Sequence, residues 1–431
     1  MTAPKIPISR CTVAIVGTGA AGYNAALCLK SLGVTDIIMV SEGKLCGTSR
    51  NTGSDKQTYY KISQGGAELD SVRQMAQTLF DGGSMHGDIA LVHSALSARG
   101  FYKLVELGVP FPFNRFGEYA GYKTDHDPAR RGSSIGPLTS KVMTEQLERA
   151  VGDVKLMDGY RVARIFTDNG SCKGLLLVSI ATGELTAINA SSVIFATGGP
   201  AHIYAQSVYP HSQTGATGIA LAAGTKGANL GEWQYGLAST EFRWNVSGTY
   251  QQVLPRYIST DQNGGDEREF IADYYSSNEQ MLENIFRKGY QWPFDAKRTE
   301  GSSRIDLLVY NETVIHGRRV YMDFTRNPSC IGEQLSPSYE NLSDEVSSYL
   351  QSSGALFGTP IERLAHMNPQ AIEIYASNGI DLYSQPLEVA VCAQHNNGGL
   401  AGNLWFESNI KRLFPVGEVA GSFGAARPGG S

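Results

Sequence analysis

No run in this sequence is apolar for the ~18–20 residues that a membrane-spanning helix needs. The first ten residues, Met1 to Arg10, also lack the apolar core of a secretory signal, so the default compartment is the cytoplasm. Cysteine is sparse. Cys11, Cys28, Cys46, Cys172, Cys330 and Cys392 form no C-x-x-C pair. That excludes zinc, iron–sulfur and haem-attachment spacings and leaves isolated reduced thiols, with no metal site expected. Basic residues do not dominate: 36 Lys and Arg stand against 41 Asp and Glu, for a net charge of −5. No basic face for nucleic acid follows from that balance. P-loop spacing, internal repeats and low-complexity tails are missing as well.

What is abundant is glycine. Forty-nine glycines in 431 residues exceed the usual ~7%, and they fall in short clusters that fit tight turns and close backbone approaches to a ligand. The length suggests two domains. Thr12 to Val16, Ala20 to Leu32 and Asp36 to Val40 read as strand, helix and strand. Residues 68–113 read as mostly helical up to Pro110 and Pro112, and 138–151 as an amphipathic helix capped by Thr139 or Ser140. From Val154 to Ile194 the texture becomes a small antiparallel sheet leading into the strand Val193–Ala196, with turns at Asn169-Gly170 and Thr182-Gly183. Residues 233–385 are aromatic and polar and lack a glycine fingerprint. The reading is an α/β fold: a Rossmann-like nucleotide-binding domain in two pieces, 1–232 and 386–431, with an inserted α+β capping domain at 233–385 that carries the substrate side.

Gly17-x-Gly19-x-x-Gly22 follows a buried strand and opens a helix; Glu42 stands twenty residues past Gly22. Such glycines let the backbone turn sharply and approach a pyrophosphate at the helix N-terminus, while the acid accepts from a ribose diol. This motif alone does not separate NAD from FAD. At the other end, Leu413 to Ser431 repeats the pattern: a short apolar strand, then Gly417-Glu418 and a glycine-rich turn containing Arg427.

With these two elements in place, the chain resembles the fumarate reductase/succinate dehydrogenase flavoprotein family, which also includes L-aspartate oxidase. The resemblance runs through Gly17–Gly22 with Glu42, residues 47–54 (Gly47-Thr48-Ser49-Arg50-Asn51-Thr52-Gly53-Ser54), Ala196-Thr197-Gly198-Gly199, Thr214–Gly218, Asn396–Leu400 and Phe414–Gly430. It implies FAD, held by Gly17, Gly19, Ala20, Ala21, Gly22, Glu42 and by Gly47, Thr48, Ser49, Asn51, Thr52, Gly53 and Ser54. Val162 is implied at the adenine, Ala196, Thr197 and Gly198 at the second strand end, and Gly417, Glu418, Arg427, Gly430 and Ser431 in the closing turn. Family members with covalent flavin use a histidine in the loop matching residues 46–54. None stands here, so non-covalent FAD is expected.

By the same resemblance, a hydride passes between the flavin and a carbon beside a carboxylate, with arginines and histidines serving the substrate. Here the sequence departs from its family. Arg427 matches the carboxylate-binding arginine, but Phe423 and Ala426 replace its neighbours. Gln394 stands at the family's histidine, with His395 one position later; Tyr235 falls where H-P-T is common; and His316, with Arg318 and Arg319 after it, falls where the proton-donating arginine is expected. The candidate catalytic set is therefore Tyr235, His316, Arg318, Gln394, His395 and Arg427. The substrate expected is a small anion other than fumarate or succinate. In the family, a helix follows the turn at Gly429-Gly430-Ser431 and points at the flavin; the sequence is accordingly read as a piece of a longer polypeptide. Two alternatives accompany this reading. One is a flavin-binding subunit or fragment without independent catalysis, served by an electron-transfer partner or a missing C-terminal region; the other is an NAD-dependent dehydrogenase, which flavin absorbance would remove.

Overall fold

The computed structural model describes residues 6–66, 69–124, 127–200, 203–332 and 337–425. Arg427, Gly430 and Ser431 lie outside them. The first sheet is built from β1 (Ile8–Val16), β2 (Ile37–Ser41), β3 (Lys155–Asp158), β4 (Tyr160–Asp168), β5 (Ser171–Ser179) and β6 (Leu185–Phe195). Their spatial order is β3-β2-β1-β6-β5-β4. β1 runs parallel to β2 and to β6, placing Val16 beside Val40 on one side and Phe195 on the other. All five residues of β2 are buried, as a parallel strand covered on both faces requires. Alternation along β1 divides the core: Ala14 and Val16 pack with Val162 and Phe195, whereas Val13 and Ile15 pack with Tyr23, Phe101 and Leu147. The helix α1 (Ala20–Ser31) follows β1 directly.

Two readings of this half need correction. Residues 154–194 do not form a separate sheet. The eleven-residue strand β6 is long enough to pair with β1 along one edge and with β5 on the other, so the antiparallel strands extend the parallel sheet. The helix at Thr139–Val151 begins with Thr139 already helical and has no side-chain cap; Thr139 Oγ1 instead donates to Gly136 O at 2.8 Å.

The second sheet comprises β7 (Trp233–Ser239), β8 (Trp244–Asn245), β9 (Arg256–Thr260), β10 (Arg319–Asp323) and β11 (Leu387–Asn396), in the order β8-β7-β11-β10-β9. Its core is aromatic and aliphatic, with Trp244, Tyr250, Tyr257, Phe286, Phe324 and Tyr375 buried together. β11 belongs to this sheet by pairing antiparallel with both β7 and β10, although it lies beyond residue 385. The chain then returns to the first sheet as β12 (Leu413–Pro415), parallel to the end of β6. Among the described residues no helix is long and apolar enough to cross a membrane.

Lys61 is an unusual feature of the first half. It is fully buried. Its Nζ lies 3.3 Å from Tyr119 O, 3.4 Å from Ile62 O and 4.8 Å from the Phe101 ring centre. Among the described residues no carboxylate pairs with it. Desolvation lowers its pKa from 10.5 to about 8, against a weaker opposing pull from Asp70. Because the folded value is depressed, the unfolded chain binds the proton more tightly between those limits. The cost is full below pH 8 and is relieved as pH rises toward 10.5. The displacement corresponds to about 3 kcal/mol, so Lys61→Met is expected to stabilise the fold by roughly 2–3 kcal/mol at pH 7. Urea denaturation at pH 7 and pH 10 checks this; a gain that does not shrink at the higher pH rejects the cause.

Candidate functional site

The C-terminal ends of β1 and β6 meet where Gly17 turns toward α1. Gly17 has φ +113°, and a Cβ there would lie 2.2 Å from Ala196 O. A Cβ on Gly22 would lie 2.1 Å from Gly17 O, so Gly22 sets the fit of α1 against the turn and does not line the cavity itself. Gly19 is the N-cap of α1 and supplies no side-chain cap; the helix N-terminus therefore opens into a cavity lined by Gly17, Gly19, Ala20 and Ala21. Unsatisfied N–H groups and the helix dipole at such an end favour an anionic group.

The segment after β2 wraps this opening. Gly47, Thr48, Ser49, Thr52, Gly53 and Ser54 all line the cavity. Ser49 Oγ accepts from Ala20 N at 3.2 Å, and Thr52 Oγ1 donates to Val208 O at 3.0 Å. Asn51 does not line it; its amide donates to Leu45 O and Gly47 O at 2.7 and 3.0 Å and braces the loop. Val162, Ala196, Thr197, Gly198, Gly417 and Glu418 complete the nucleotide half. Thr48 Oγ1 and Thr197 Oγ1 are buried without a hydrogen-bond partner. Two orphaned hydroxyls beside a helix N-terminus whose own N-cap residue has no side chain fit a phosphate- and hydroxyl-bearing dinucleotide.

The two acids differ in setting. Glu42 lines the cavity but is held by Arg161 at 3.0 Å and by Thr214 Oγ1 at 2.9 Å. Glu418 accepts from Gly199 N at 3.1 Å and from the Tyr209 phenol, and His395 Nε2 lies 3.5 Å from it. His395 is further placed by Asn397 Oδ1, 3.2 Å from its Nδ1. Gln394 also lines the cavity, with its amide donating to Gly236 O at 2.9 Å.

The remaining candidates are not brought there. Tyr235 projects from the opposite face of β7 to Gln234, as strand alternation dictates; its hydroxyl donates to Tyr204 at 3.0 Å, and Gln234 lines the cavity instead. His316 is half-exposed beside Glu312, 3.0 Å away. Arg318 is taken up by Asp266 at 2.7 Å and Glu312 at 3.2 Å. Neither lines the cavity. The pair Arg130-Arg131, which in the sequence could attract an anion beside His126 or form a solvated loop, divides: Arg130 is exposed and lines the cavity, whereas Arg131 is buried between Asp70 and Asp127.

Several lining residues escape sequence reasoning. The cap contributes Gln252, Tyr290, Trp292, Glu345 and Tyr349, and the loop beyond Ser54 contributes Lys56. None sits in a recognisable motif; only Lys56, two residues past the wrapping loop, has a positional clue. The whole cavity encloses about 1200 Å³.

Comparisons with known proteins agree with this geometry. A fumarate reductase (CoM/CoB) subunit of Methanothermobacter marburgensis is 27% identical over 98% of this chain and 69% of its own length. L-aspartate oxidase 2 of Ralstonia nicotianae is 22% identical over 91% of this chain and 68% of its own. This chain thus spans roughly two thirds of these relatives. A chain of E. coli quinol fumarate reductase superposes with a TM-score of 0.69 at 18% identity, covering 99% of this chain and 68% of that one. Residues 12–431 match the family described as FAD binding domain, and the chain therefore belongs to that family, as a distant homologue of the fumarate reductase/succinate dehydrogenase flavoproteins and L-aspartate oxidases.

Proposed function

We propose that this protein is an FAD-dependent oxidoreductase that holds FAD non-covalently and acts on a small anionic substrate other than fumarate or succinate. The carrying observation is the cavity of about 1200 Å³ that joins the N-terminal end of α1 to the aromatic wall of the cap. It exceeds the ~300–1,000 Å³ of an ordinary ligand pocket and has room for a dinucleotide with a substrate beside it. When bound, FAD supplies hydride acceptor or donor chemistry at its N5. The chain's own contributions are separate. The turn at Gly17 and the segment 47–54 hold the pyrophosphate, Val162 meets the adenine, Glu42 and Glu418 receive sugar-chain hydroxyls, and the cap excludes water from the reacting atoms. Gln394 and His395 face the substrate. Arg427 lies outside the described residues.

The departure from dicarboxylate chemistry rests on Gln394 at the expected histidine and on His316 and Arg318 being engaged by carboxylates away from the cavity. Anaerobic reoxidation of the reduced flavoprotein by a panel of enoates, nitrogenous acceptors and oxygen tests it; rapid reoxidation by fumarate rejects the substrate assignment. Reoxidation by none of them favours a flavin-carrying subunit that passes electrons to a partner protein, a reading supported by the relative that is named as one subunit of a fumarate reductase. Acid precipitation should release the yellow cofactor into the supernatant, and a flavin retained on the denatured chain rejects non-covalent binding. Glu418→Gln removes a charged acceptor, a loss of roughly 1.5–3 kcal/mol. FAD titration is expected to show affinity reduced by about 10- to 100-fold, and wild-type affinity would take Glu418 off the cofactor.

A further inference from the structure

We propose that Lys56 seats the carboxylate of the substrate, and that this substrate is a monocarboxylate whose body lies against Tyr290, Trp292 and Tyr349. The proposal rests on the flavin reading above.

The charges lining the cavity are largely matched. Glu42 has Arg161, Glu345 has Arg287 at 2.8 Å and the Tyr290 phenol, and Glu418 has Tyr209 with His395 nearby. Asp55, beside Lys56 in sequence, feels the Lys56 charge but forms no ion pair with it among the described residues: its Oδ2 accepts from Thr249 N at 2.6 Å and Thr249 Oγ1 at 2.7 Å. Lys56 differs. Its ammonium stands over the ring of Tyr122, 6.0 Å from Nζ to the ring centre, and among the described residues it has no ion-pair partner. Lys123 shares that condition but is exposed at the rim, whereas Lys56 is half-buried inside.

The surroundings of Lys56 define what it would hold. Its charge opposes the rise that burial imposes on the Tyr349 phenol, which places the two groups within electrostatic reach. Tyr349 Oη donates to Gln252 Oε1 at 3.0 Å, leaving the Gln252 amide N–H groups as donors on the same wall. One ammonium with adjoining amide donors suits one carboxylate. The neighbouring wall is aromatic and offers no second unmatched cation in the described interior. A dicarboxylate would leave its second charge against Tyr290 and Trp292, a poor exchange for water. Lys56 also follows directly from the segment that wraps the nucleotide and from Asp55, whose bonds to Thr249 fasten that segment to the cap. The site therefore falls at the junction of cofactor half and cap, where a reacting carbon must lie.

The test uses FAD-loaded protein and cinnamate as the probe, with cinnamamide and fumarate for comparison. Binding is read by flavin absorbance and by tryptophan fluorescence, to which Trp292 contributes. Cinnamate is expected to bind at least about tenfold more tightly than either comparison ligand. Lys56→Gln should weaken cinnamate by about tenfold or more and abolish its advantage over the amide, while Lys56→Arg stays within about threefold of wild type. FAD affinity should be unchanged in both variants. Unaltered cinnamate binding by Lys56→Gln, or no binding by wild type, overturns the assignment. Fumarate matching cinnamate overturns the monocarboxylate. A parallel loss of FAD in Lys56→Gln moves the residue to the cofactor and also overturns it. If wild type takes up no FAD, the flavin reading fails by itself, and the fluorescence titration of the cofactor-free chain still decides Lys56.

Discussion

Gly17→Ala is expected to abolish flavin retention, with affinity for FAD falling by about 100-fold or more. Two effects act together. At φ +113° an L side chain is strained, at a cost of about 1–3 kcal/mol. The new Cβ would also stand 2.2 Å from Ala196 O, a backbone atom that cannot swing aside. Ala196 N donates to Val16 O at 2.8 Å, and Gly17 N donates to Val40 O at 2.8 Å, so three strands fix the positions of both partners. Relief requires the turn to move, and with it the α1 N-terminus proposed above to hold the pyrophosphate. Gly33→Ala is the control: φ is +83° there, but nothing lies within 4 Å of the added Cβ. It should lose about 1 kcal/mol of stability and keep its flavin. Flavin absorbance after gel filtration, with thermal melts of both variants, separates the outcomes. A Gly17→Ala protein that keeps a full complement of FAD rejects the role assigned to the turn.

The same residues explain why the nucleotide half was readable in the sequence. Its chemistry is backbone chemistry, and a backbone that must turn at positive φ or touch another strand leaves glycine as a visible mark. Gly17, Gly198 and Gly417 all have positive φ, and each falls in a segment that stands out by inspection. The parallel sheet was legible for a similar reason, since β2 is apolar from Ile37 to Val40. The cap-side half left no such mark. Lys56 looks like a solvated loop lysine until the fold places it inside a cavity. Arg318 looks like a cavity cation until Asp266, fifty-two residues away, is found 2.7 Å from it. Tyr235 failed through register: the spacing found the right strand, but with a shift in register at Gln234/Tyr235 only the structure could say which of the two faces the cavity. Side-chain recognition depends on which distant partner neutralises each charge, and local pattern does not encode that.

That dependence on distant partners also governs stability, most strongly at Arg131. Its guanidinium donates to both oxygens of Asp70, at 2.9 and 2.8 Å, to Asp127 at 3.2 and 3.3 Å, and to Thr78 Oγ1 at 2.9 Å. Asp127 in turn accepts from the Tyr60 phenol. Arginine and both acids are buried, and Tyr60 lines the cavity; the cluster thus braces a cavity wall whose only sheet among the described residues is the two-residue pairing of Tyr59–Tyr60 with Gly132–Ser133. Arg131→Met would leave two buried carboxylates facing each other without a cation, and is expected to cost about 3–5 kcal/mol at pH 7. The pH dependence identifies the cause. In the native protein, burial would raise the Asp70 pKa, but Arg131 together with the backbone N–H groups of Ser63 and Ser71 outweighs it and holds the carboxyl below its usual range. A depressed folded value contributes stability above the unfolded pKa, lost as pH falls through the folded one. Without Arg131 burial prevails, and protonation becomes favourable in the folded state. The gap between wild type and Arg131→Met should therefore narrow as pH falls from 7 toward 4. Adding Asp70→Asn to Arg131→Met should recover part of the loss at pH 7 and reduce the dependence on pH, because one of the two stranded charges is gone and Asp127 remains. Urea titrations of the three proteins at pH 7 and pH 4.5 measure both effects. A deficit that is constant across pH and untouched by Asp70→Asn would mean that Arg131 acts through packing and not through its charge.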